Sequence, residues 1–245
     1  MSVRIEIVPF LFASLLIAAI LLLACRLLHV RRVRALVSSG AVFLLLSFYM
    51  VVFFRDPPRN PPDDPKAIVS AADGRIAGIV DVAPEDFELL IERFTEQGID
   101  AERLARLRNR DLVRISTFLS LIDVHVNRAP IQGVSEFLGY FPGARHFTFQ
   151  ERASVENQHN AIYMHNPHTA CLLMQIVGPV ARRVVYWPDS DQPVELSLGE
   201  PIGMMKFGSR MDIYLRASDV EVTIAKGERV RAGETVIARC RKDSK

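Results

Sequence analysis

Two long stretches without charge constrain this chain more than any other feature of its sequence. Residues 7–25 carry no charged side chain and are nearly all apolar, and a second uncharged stretch covers residues 35–54. The first stretch would form roughly 28 Å of α-helix, close to the ~30 Å hydrocarbon core of a bilayer. Buried core helices and a signal peptide are the alternatives, but no small-residue cleavage site precedes the second stretch. Residues 1–54 are therefore predicted to form a membrane-anchoring helix hairpin.

Basic residues are concentrated at the same end of the chain. Residues 1–60 hold seven arginines and two acidic residues, whereas the whole chain has a net charge of only +2, so the remainder is mildly acidic. An acidic body argues against nucleic acid as a partner. The basic loop at 26–34 favours a body outside the cytoplasm, whereas a hairpin entering from the cytoplasmic face brings both basic clusters near anionic headgroups. We expect the cell (inner) membrane, with the body at its cytoplasmic face.

A proline-rich segment separates the apolar end from the rest of the chain. Residues 55–65 contain five prolines, which cannot continue a helix and indicate a stiff, extended linker. Residues 66–245 are long enough to form one domain with its own core. The three cysteines have no paired spacing, so neither a disulfide framework nor a zinc site is expected, and no metal is predicted.

The body shows the sequence pattern of antiparallel β-structure. Short runs rich in β-branched residues are separated by Gly, Pro and Asp. The predicted strands are Lys66–Ser70, Arg75–Val82, Leu112–Phe118, Thr169–Val177, Arg182–Trp187, Met211–Leu215, Val220–Ile224 and Thr235–Arg239. Glycine-rich turns near both ends of the body suggest lipoyl-like elements. The fold class is therefore predicted as mainly β (α+β), with a sandwich or barrel-like body.

One helical insert, Pro84–Asp111, interrupts these strands. Its apolar residues recur at helical spacing as far as Phe94, and a break near Gly98 precedes a second helix that contains Leu104 and Leu107. An amphipathic helix of this kind either packs on the sheet with a solvated charged face or lies on a membrane surface. The sequence leaves both interpretations open.

The dipeptide Gly208–Ser209 offers a chemical reaction of the chain with itself. A serine hydroxyl can attack the preceding carbonyl carbon and convert the amide to an ester, provided that a base takes its proton. Glycine tolerates the strained backbone that this approach requires. Elimination of the ester leaves dehydroalanine, which hydrolyses to a pyruvoyl group. Most Gly-Ser pairs are simply turns, so the surrounding motifs must show whether this pair reacts.

Five segments, one of which contains this dipeptide, occur in a characteristic order along the chain. They are Phe54–Arg59, Val69–Gly74, Asp123–Gly133, residues 152–160 and Phe207–Arg210. In these segments the sequence resembles the short form of the phosphatidylserine decarboxylases. It departs from the family pattern at Ala71, where proline is frequent, and at Lys206, where arginine is common.

The resemblance implies a self-processing proenzyme. Cleavage between Gly208 and Ser209 would give fragments 1–208 and 209–245, which stay together as a heterodimer, and Ser209 would become the pyruvoyl cofactor. That group would form a Schiff base with the amine of phosphatidylserine, and loss of CO₂ would give phosphatidylethanolamine. Membrane lipids are the other expected partners.

The resemblance also assigns roles to individual residues. Asp73, His125 and Ser209 form the expected set of orienting group, base and nucleophile. Arg128 and His159 are expected to bind the substrate. The long form of the family has a second histidine where this chain has Arg128, so either His125 serves both proton transfers or Arg128 takes the other role.

A rival interpretation belongs to another class of protein. A non-enzymatic, membrane-tethered β-sandwich adaptor would account for the anchor and the strands. Such adaptors usually carry a long coiled-coil hairpin, whereas this chain has no sustained heptads. The adaptor interpretation also leaves Phe207–Arg210 without an explanation.

Overall fold

The computed structural model describes residues 2–150, 152–179, 184–206 and 209–241. The chain divides into two compact units, Met1–Pro58 and Arg59–Lys245. The anchor and linker boundaries at residues 54 and 65 remain predictions from the sequence.

The N-terminal unit is a pair of apolar helices, α1 (Val8–Leu27) and α2 (Arg32–Phe53), with two short strands, β1 (Ser2–Val3) and β2 (Arg55–Asp56). The strands pair antiparallel and close the hairpin at its ends. The helical segments Ile5–Leu27 and Arg32–Phe53 have mean hydropathies of 2.8 and 2.2, and most of their residues are not buried. They are long and apolar enough to cross a membrane, which supports membrane association.

The second unit contains fourteen strands among its described residues. They are β3 (Ala67–Val69), β4 (Gly74–Val82), β5 (Leu112–Leu119), β6 (Val126–Arg128), β7 (Gly133–Phe141), β8 (His159–His165), β9 (Ala170–Val177), β10 (Val184–Tyr186), β11 (Val194–Leu196), β12 (Pro201–Met205), β13 (Ser209–Arg216), β14 (Val220–Val222), β15 (Arg229–Val230) and β16 (Val236–Cys240). The helical elements are α3 (Pro84–Glu96), a 3₁₀ turn (Ala101–Leu104) and α4 (Ala153–Glu156).

These strands form one large sheet and two small ones. The large sheet has eight strands in the order β11-β7-β8-β9-β13-β5-β4-β15, and every adjacent pair is antiparallel. The small sheets have the orders β10-β12-β6 and β14-β16-β3. β13 lies in the interior of the large sheet, paired with β9 on one side and β5 on the other.

A separate apolar core covers each face of the large sheet. One face carries Met211, Ile213 and Leu215 and packs against the two small sheets through residues such as Ile68 and Ile202. The opposite face carries Leu172, Met174 and Tyr214 and packs against α3 and the residues after it. Because both faces are covered, alternate residues of β13 point into two different buried environments.

The sheet-rich, antiparallel character predicted from the sequence is confirmed, and α3 begins where the helical spacing begins. The predicted second helix is wrong: Leu104 ends a 3₁₀ turn, and Leu107 lies in turns before β5. Strands β7, β8, β11, β12 and β15 are absent from the predicted set, and β7 and β8 are the longest of these. A register irregularity between Phe137 and Gly139 interrupts the apolar alternation of β7, and β8 begins with polar residues. Of the predicted strand Arg182–Trp187, the first two residues lie outside the described part.

Candidate active site

Ser209 is the first residue of β13 and lies between two neighbouring strands. It is opposite Leu119 at the end of β5 and opposite Val177 at the end of β9. The residue is fully buried, and its hydroxyl has no hydrogen-bond partner among the described residues. Buried hydroxyls are normally hydrogen-bonded, so the Ser209 hydroxyl is one of a few exceptions among the described residues. Gly208, on the other side of the predicted cleavage bond, lies outside the described residues.

His125 lies immediately before β6 and is fully buried. Its carbonyl accepts a hydrogen bond from the N–H of Met205 (3.2 Å), four residues before Ser209. Its Nδ1 is 2.9 Å from the carbonyl oxygen of Asp123. A carbonyl only accepts, so Nδ1 carries the proton of the neutral ring and Nε2 is the basic nitrogen. The main chain of His125 is thus hydrogen-bonded to the segment that leads toward Ser209.

Asp73 lies at the same end of β5, in the turn before β4. The turn requires glycine at position 74, because φ is +149° and a Cβ there would lie 2.1 Å from the carbonyl oxygen of Phe118. The carboxylate of Asp73 accepts hydrogen bonds from Nη2 of Arg59 (2.8 and 3.0 Å) and from the N–H of Ala232 (2.8 Å). Burial raises the pKa of Asp73, although Ala232 and Arg59 act in the opposite direction.

The chain therefore gathers the three predicted residues around one end of β5. Ser209 is opposite Leu119, Asp73 precedes the glycine that contacts Phe118, and His125 follows the turn that leaves β5. The role of Asp73 as the orienting group stays a prediction. The Asp123 carbonyl orients the His125 ring, and Arg59 holds the Asp73 carboxylate. Neither partner was singled out from the sequence, because main-chain acceptors and distant arginines leave no local pattern.

The two predicted substrate contacts lie in different places. Arg128 is largely buried and donates from Nη1 to the carbonyl oxygen of Gly199 (3.0 Å). His159 is opposite Ile176, on the face of the large sheet that carries α3, whereas Ser209 faces the other way. The His159 ring stacks on Phe141 with a centroid distance of 5.1 Å. Burial lowers its pKa to about 4, so the ring is neutral near pH 7.

A ladder of buried amide side chains lies on the same face as Ser209. Asn160 donates from Nδ2 to Oε1 of Gln175 (3.2 Å), and Gln175 donates from Nε2 to Oδ1 of Asn127 (2.8 Å). Gln175 is opposite Met211, two residues along β13 from Ser209. The Nδ2 group of Asn127 is buried and has no hydrogen-bond partner within the described ranges. The ladder leaves a second polar atom unsatisfied near the candidate nucleophile.

Comparison with known proteins decides the family. The sequence model of the phosphatidylserine decarboxylase family matches residues 46–238. A curated relative, the phosphatidylserine decarboxylase proenzyme of Carboxydothermus hydrogenoformans, is 39% identical over 200 residues, which cover 82% of this chain and 84% of the relative. The chain belongs to the phosphatidylserine decarboxylase family. The prediction of a carboxy-lyase is confirmed, and the adaptor interpretation is wrong.

The decarboxylase family member also buries charge directly beside Ser209, on the opposite face of β13. Nε of Arg210 is 2.7 Å from Oδ1 of Asp212, and both side chains are fully buried. Arg210 donates from Nη2 to the hydroxyl of Ser116 (2.7 Å), and the hydroxyl of Ser154 donates to Oδ2 of Asp212 (2.6 Å). This network ties β13, β5 and α4 together and fixes the strand that begins with Ser209.

One cavity of this decarboxylase lies away from Ser209. It has a volume of about 550 Å³ and is lined by Arg106, His165, His168 and Glu195, among others. It lies at the His165 end of β8, about 20 Å along the strand from the His159 end. Within the described ranges, no group of three or more His, Cys, Asp or Glu side chains could hold a metal ion.

Proposed function

We propose that the chain cuts itself between Gly208 and Ser209 and then converts phosphatidylserine to phosphatidylethanolamine and CO₂ at residue 209. The observation that carries the proposal is the fully buried Ser209 hydroxyl, which lacks a hydrogen-bond partner among the described residues. It begins an interior strand of the sheet, next to a segment hydrogen-bonded to His125. Family membership supplies the substrate class.

The cleavage step uses groups of the chain itself. Nε2 of His125 takes the proton from the Ser209 hydroxyl, Oγ bonds to the carbonyl carbon of Gly208, and the amide nitrogen leaves that carbon with a proton. Loss of the Cα proton of residue 209 then breaks the Cβ–Oγ bond. Fragment 1–208 leaves with a carboxylate, and the dehydroalanine left behind gains water and loses ammonia to give the pyruvoyl group.

The surroundings of residue 209 fit a small uncharged group. Its strand neighbours Leu119 and Val177 are apolar and buried, and a pyruvoyl group is close in size to the serine it replaces. The cofactor supplies an electron-withdrawing carbonyl for the serine amine of the lipid. His125 is the group that returns a proton to the substrate carbon, and Arg128 is the candidate partner of the headgroup phosphate or carboxylate. The packing of His159 against Phe141 favours a structural role for that residue.

The proposal includes the location of the enzyme and the fate of the fragments. The two apolar helices hold the enzyme in the cell (inner) membrane, with the body at the cytoplasmic face, where phosphatidylserine and other membrane lipids are its partners. Fragments 1–208 and 209–245 stay together as a heterodimer, because β13 pairs with both of its neighbours. Lipoyl-like elements in a sandwich or barrel-like body belong to the same proposal.

The experiment is the intact mass of the purified protein together with its Ser209→Ala variant. We expect two masses for the native protein, those of 1–208 and of a fragment 209–245 that is lighter by one ammonia. We expect one mass and no decarboxylation for Ser209→Ala. Ser209→Cys serves as the matched variant, since a thiol supports the same acyl shift. A native chain that stays whole yet decarboxylates phosphatidylserine would overturn the proposal.

A further inference from the structure

Four large apolar side chains are exposed on two loops of the second unit, and we call them the apolar rim: Leu121, Ile122, Phe147 and Phe149. Their exposed fractions are 51, 64, 57 and 66%. The rings of Phe147 and Phe149 stack on each other with a centroid distance of 5.5 Å. Exposed aromatic pairs of this kind are typical of interaction surfaces.

The first loop is held next to Ser209 by its own hydrogen bonds. It leaves β5 after Leu119, the strand partner of Ser209. The side chain of Asp123 accepts from the N–H (2.8 Å) and the hydroxyl (2.6 Å) of Ser120, and the N–H of Asp123 donates to the Ser120 carbonyl. These hydrogen bonds hold Leu121 and Ile122 at the tip of a tight turn, and Ile122 is three residues before His125.

The second loop is held to the other strand partner of Ser209. The Nδ2 group of the buried Asn157 donates both to the carbonyl oxygen of His146 (2.7 Å) and to that of Val177 (3.0 Å). Val177 is opposite Ser209. The loop that carries Phe147 and Phe149 is therefore anchored at the end of β9, while the first loop is anchored at the end of β5. Those two strands lie about 10 Å apart with β13 between them.

Basic side chains accompany the rim on both sides. Arg145 and Arg152 are exposed and flank Phe147 and Phe149 in the sequence. On the other side, Nη1 of Arg229 is 4.0 Å from Oδ1 of Asp123. The acidic residues near the rim in the sequence are Asp123, Glu151 and Glu156; Glu156 is 2.8 Å from Nε2 of His146, and Glu151 lies outside the described residues. Apolar tips surrounded by arginines match the interface of an anionic bilayer, where acyl chains meet negative headgroups.

We propose that the apolar rim inserts into the interface of an anionic phospholipid bilayer and so brings the headgroup plane to residue 209. A bilayer is within reach of this chain because two helices long enough to cross one belong to it. The inference rests on the proposed function, since insertion of the rim matters for catalysis only if residue 209 reacts with a lipid headgroup. Insertion would bring the headgroup of an insoluble substrate to a buried residue.

Fluorescence quenching by lipid tests the insertion without any use of activity. The single tryptophan, Trp187, is replaced by Phe in the full chain, and a new tryptophan is placed by Ile122→Trp, Phe147→Trp or, as control, Leu89→Trp. Leu89 is equally exposed but lies two residues from Phe87, which packs on Tyr214, five residues along β13 from Ser209. The proteins are reconstituted in vesicles of phosphatidylcholine and phosphatidylglycerol, with the phosphatidylcholine brominated near the carbonyl end of its acyl chains.

We expect the emission of both rim tryptophans to fall by about twofold in brominated vesicles, because bromine quenches only on close approach, and that of Leu89→Trp to stay unchanged. Rim tryptophans that behave like the control would overturn the inference. The inference would also be overturned if the emission were the same in brominated and unbrominated vesicles but changed with protein concentration. That result would indicate that the rim contacts another copy of the chain.

A kinetic comparison provides the second measurement. For Phe147→Ser/Phe149→Ser, we expect about tenfold slower decarboxylation of long-chain phosphatidylserine in vesicles and an unchanged rate on a short-chain, monomeric phosphatidylserine. Leu89→Ser should match the parent on both substrates. Equal rates of parent and double variant on vesicles would contradict insertion of the apolar rim into the bilayer. If the double variant also fails on the short-chain lipid, its site is damaged and the quenching result alone decides. Failure of the proposed function would appear separately, as activity retained by Ser209→Ala.

Discussion

The two faces of β13 hold their polar groups in opposite states. On one face the Ser209 hydroxyl is buried without a hydrogen-bond partner among the described residues. On the other face Arg210 and Asp212 form a buried ion pair, to which Ser116 and Ser154 add hydrogen bonds. Unsatisfied buried groups reduce stability, whereas a satisfied network specifies one packing arrangement. Consecutive residues of β13 thus lie in opposite environments: one face carries a hydroxyl without a described partner, and on the other face a hydrogen-bonded network fixes the strand.

The largest effect is expected on self-cleavage, from a substitution on the Ser209 face of the sheet. His125→Ala removes the base on the Ser209 side and should slow cleavage by about 10²–10⁴-fold, because an unassisted hydroxyl is a poor nucleophile. His159→Gln alters a buried histidine on the opposite face of the sheet and should leave cleavage intact. The measurement is the fraction of cleaved chain against time after synthesis. Normal processing of His125→Ala would move the base to another residue.

Breaking the charged face should reduce stability strongly. Asp212→Asn, made in the uncleaved Ser209→Ala background, leaves Arg210 buried without its counter-charge and should lower the free energy of unfolding by about 3–5 kcal/mol. The paired change Arg210→Met/Asp212→Leu removes both charges and should recover part of that loss, since Arg114, whose Nε is 3.9 Å from Oδ2 of Asp212, also loses its counter-charge. Urea unfolding in detergent measures both variants. If Asp212→Asn lowers the free energy of unfolding no more than the paired change does, the ion pair has no special role in fixing the strand.

The opposite face should also respond to acid through His159. Its folded-state pKa of about 4 lies below the ordinary value of 6.5, so the unfolded chain binds more protons between those values. Stability therefore falls as pH drops from about 6.5 to about 4, by up to about 3 kcal/mol. His159→Gln should remove this part of the pH dependence. Identical unfolding profiles for both proteins over that range would contradict a neutral, buried His159.

The smallest effect is expected from the group that supports the Ser209 side from a distance. Asp73→Asn keeps an acceptor for the N–H of Ala232 but loses the negative charge that faces Arg59, so cleavage should slow by about tenfold. Glu234→Gln is the matched control, because Glu234 contacts the same arginine at 3.4 Å but is more exposed. A loss as large as that of His125→Ala would give Asp73 a direct part in proton transfer.

Local patterns carried most of what could be predicted from the sequence. Short runs separated by Gly, Pro and Asp identified strands such as the core of β13, and helical spacing identified α3, because each pattern extends over a few residues. The pairing of Gly208 with Ser209, together with the motif around His125, pointed to one chemistry. Each of these motifs is a short local segment of the chain, so no knowledge of tertiary packing was needed to identify it.

The features that could not be predicted depend on what covers each strand. Asn127, Asn160 and Gln175 are far apart in the sequence, and a polar residue in a strand usually indicates a solvent-facing position. Their burial follows only from the packing of a small sheet over the large one. In the same way, the predicted strand began at Met211 and left out Arg210, although charged residues are rarely fully buried unless paired. The second covered face of the large sheet makes that position buried.

The interior position of β13 also governs whether the enzyme can recover after unfolding. The proenzyme folds as a single polypeptide, so β13 reaches its place between β5 and β9 by a first-order process. Once cleaved as proposed, the same strand belongs to the short fragment, and renaturation requires a bimolecular encounter between two chains. Recovery from denaturant would then decline with dilution for the mature enzyme but not for Ser209→Ala. Maturation would make the native structure a kinetically trapped product that its own fragments do not readily regenerate.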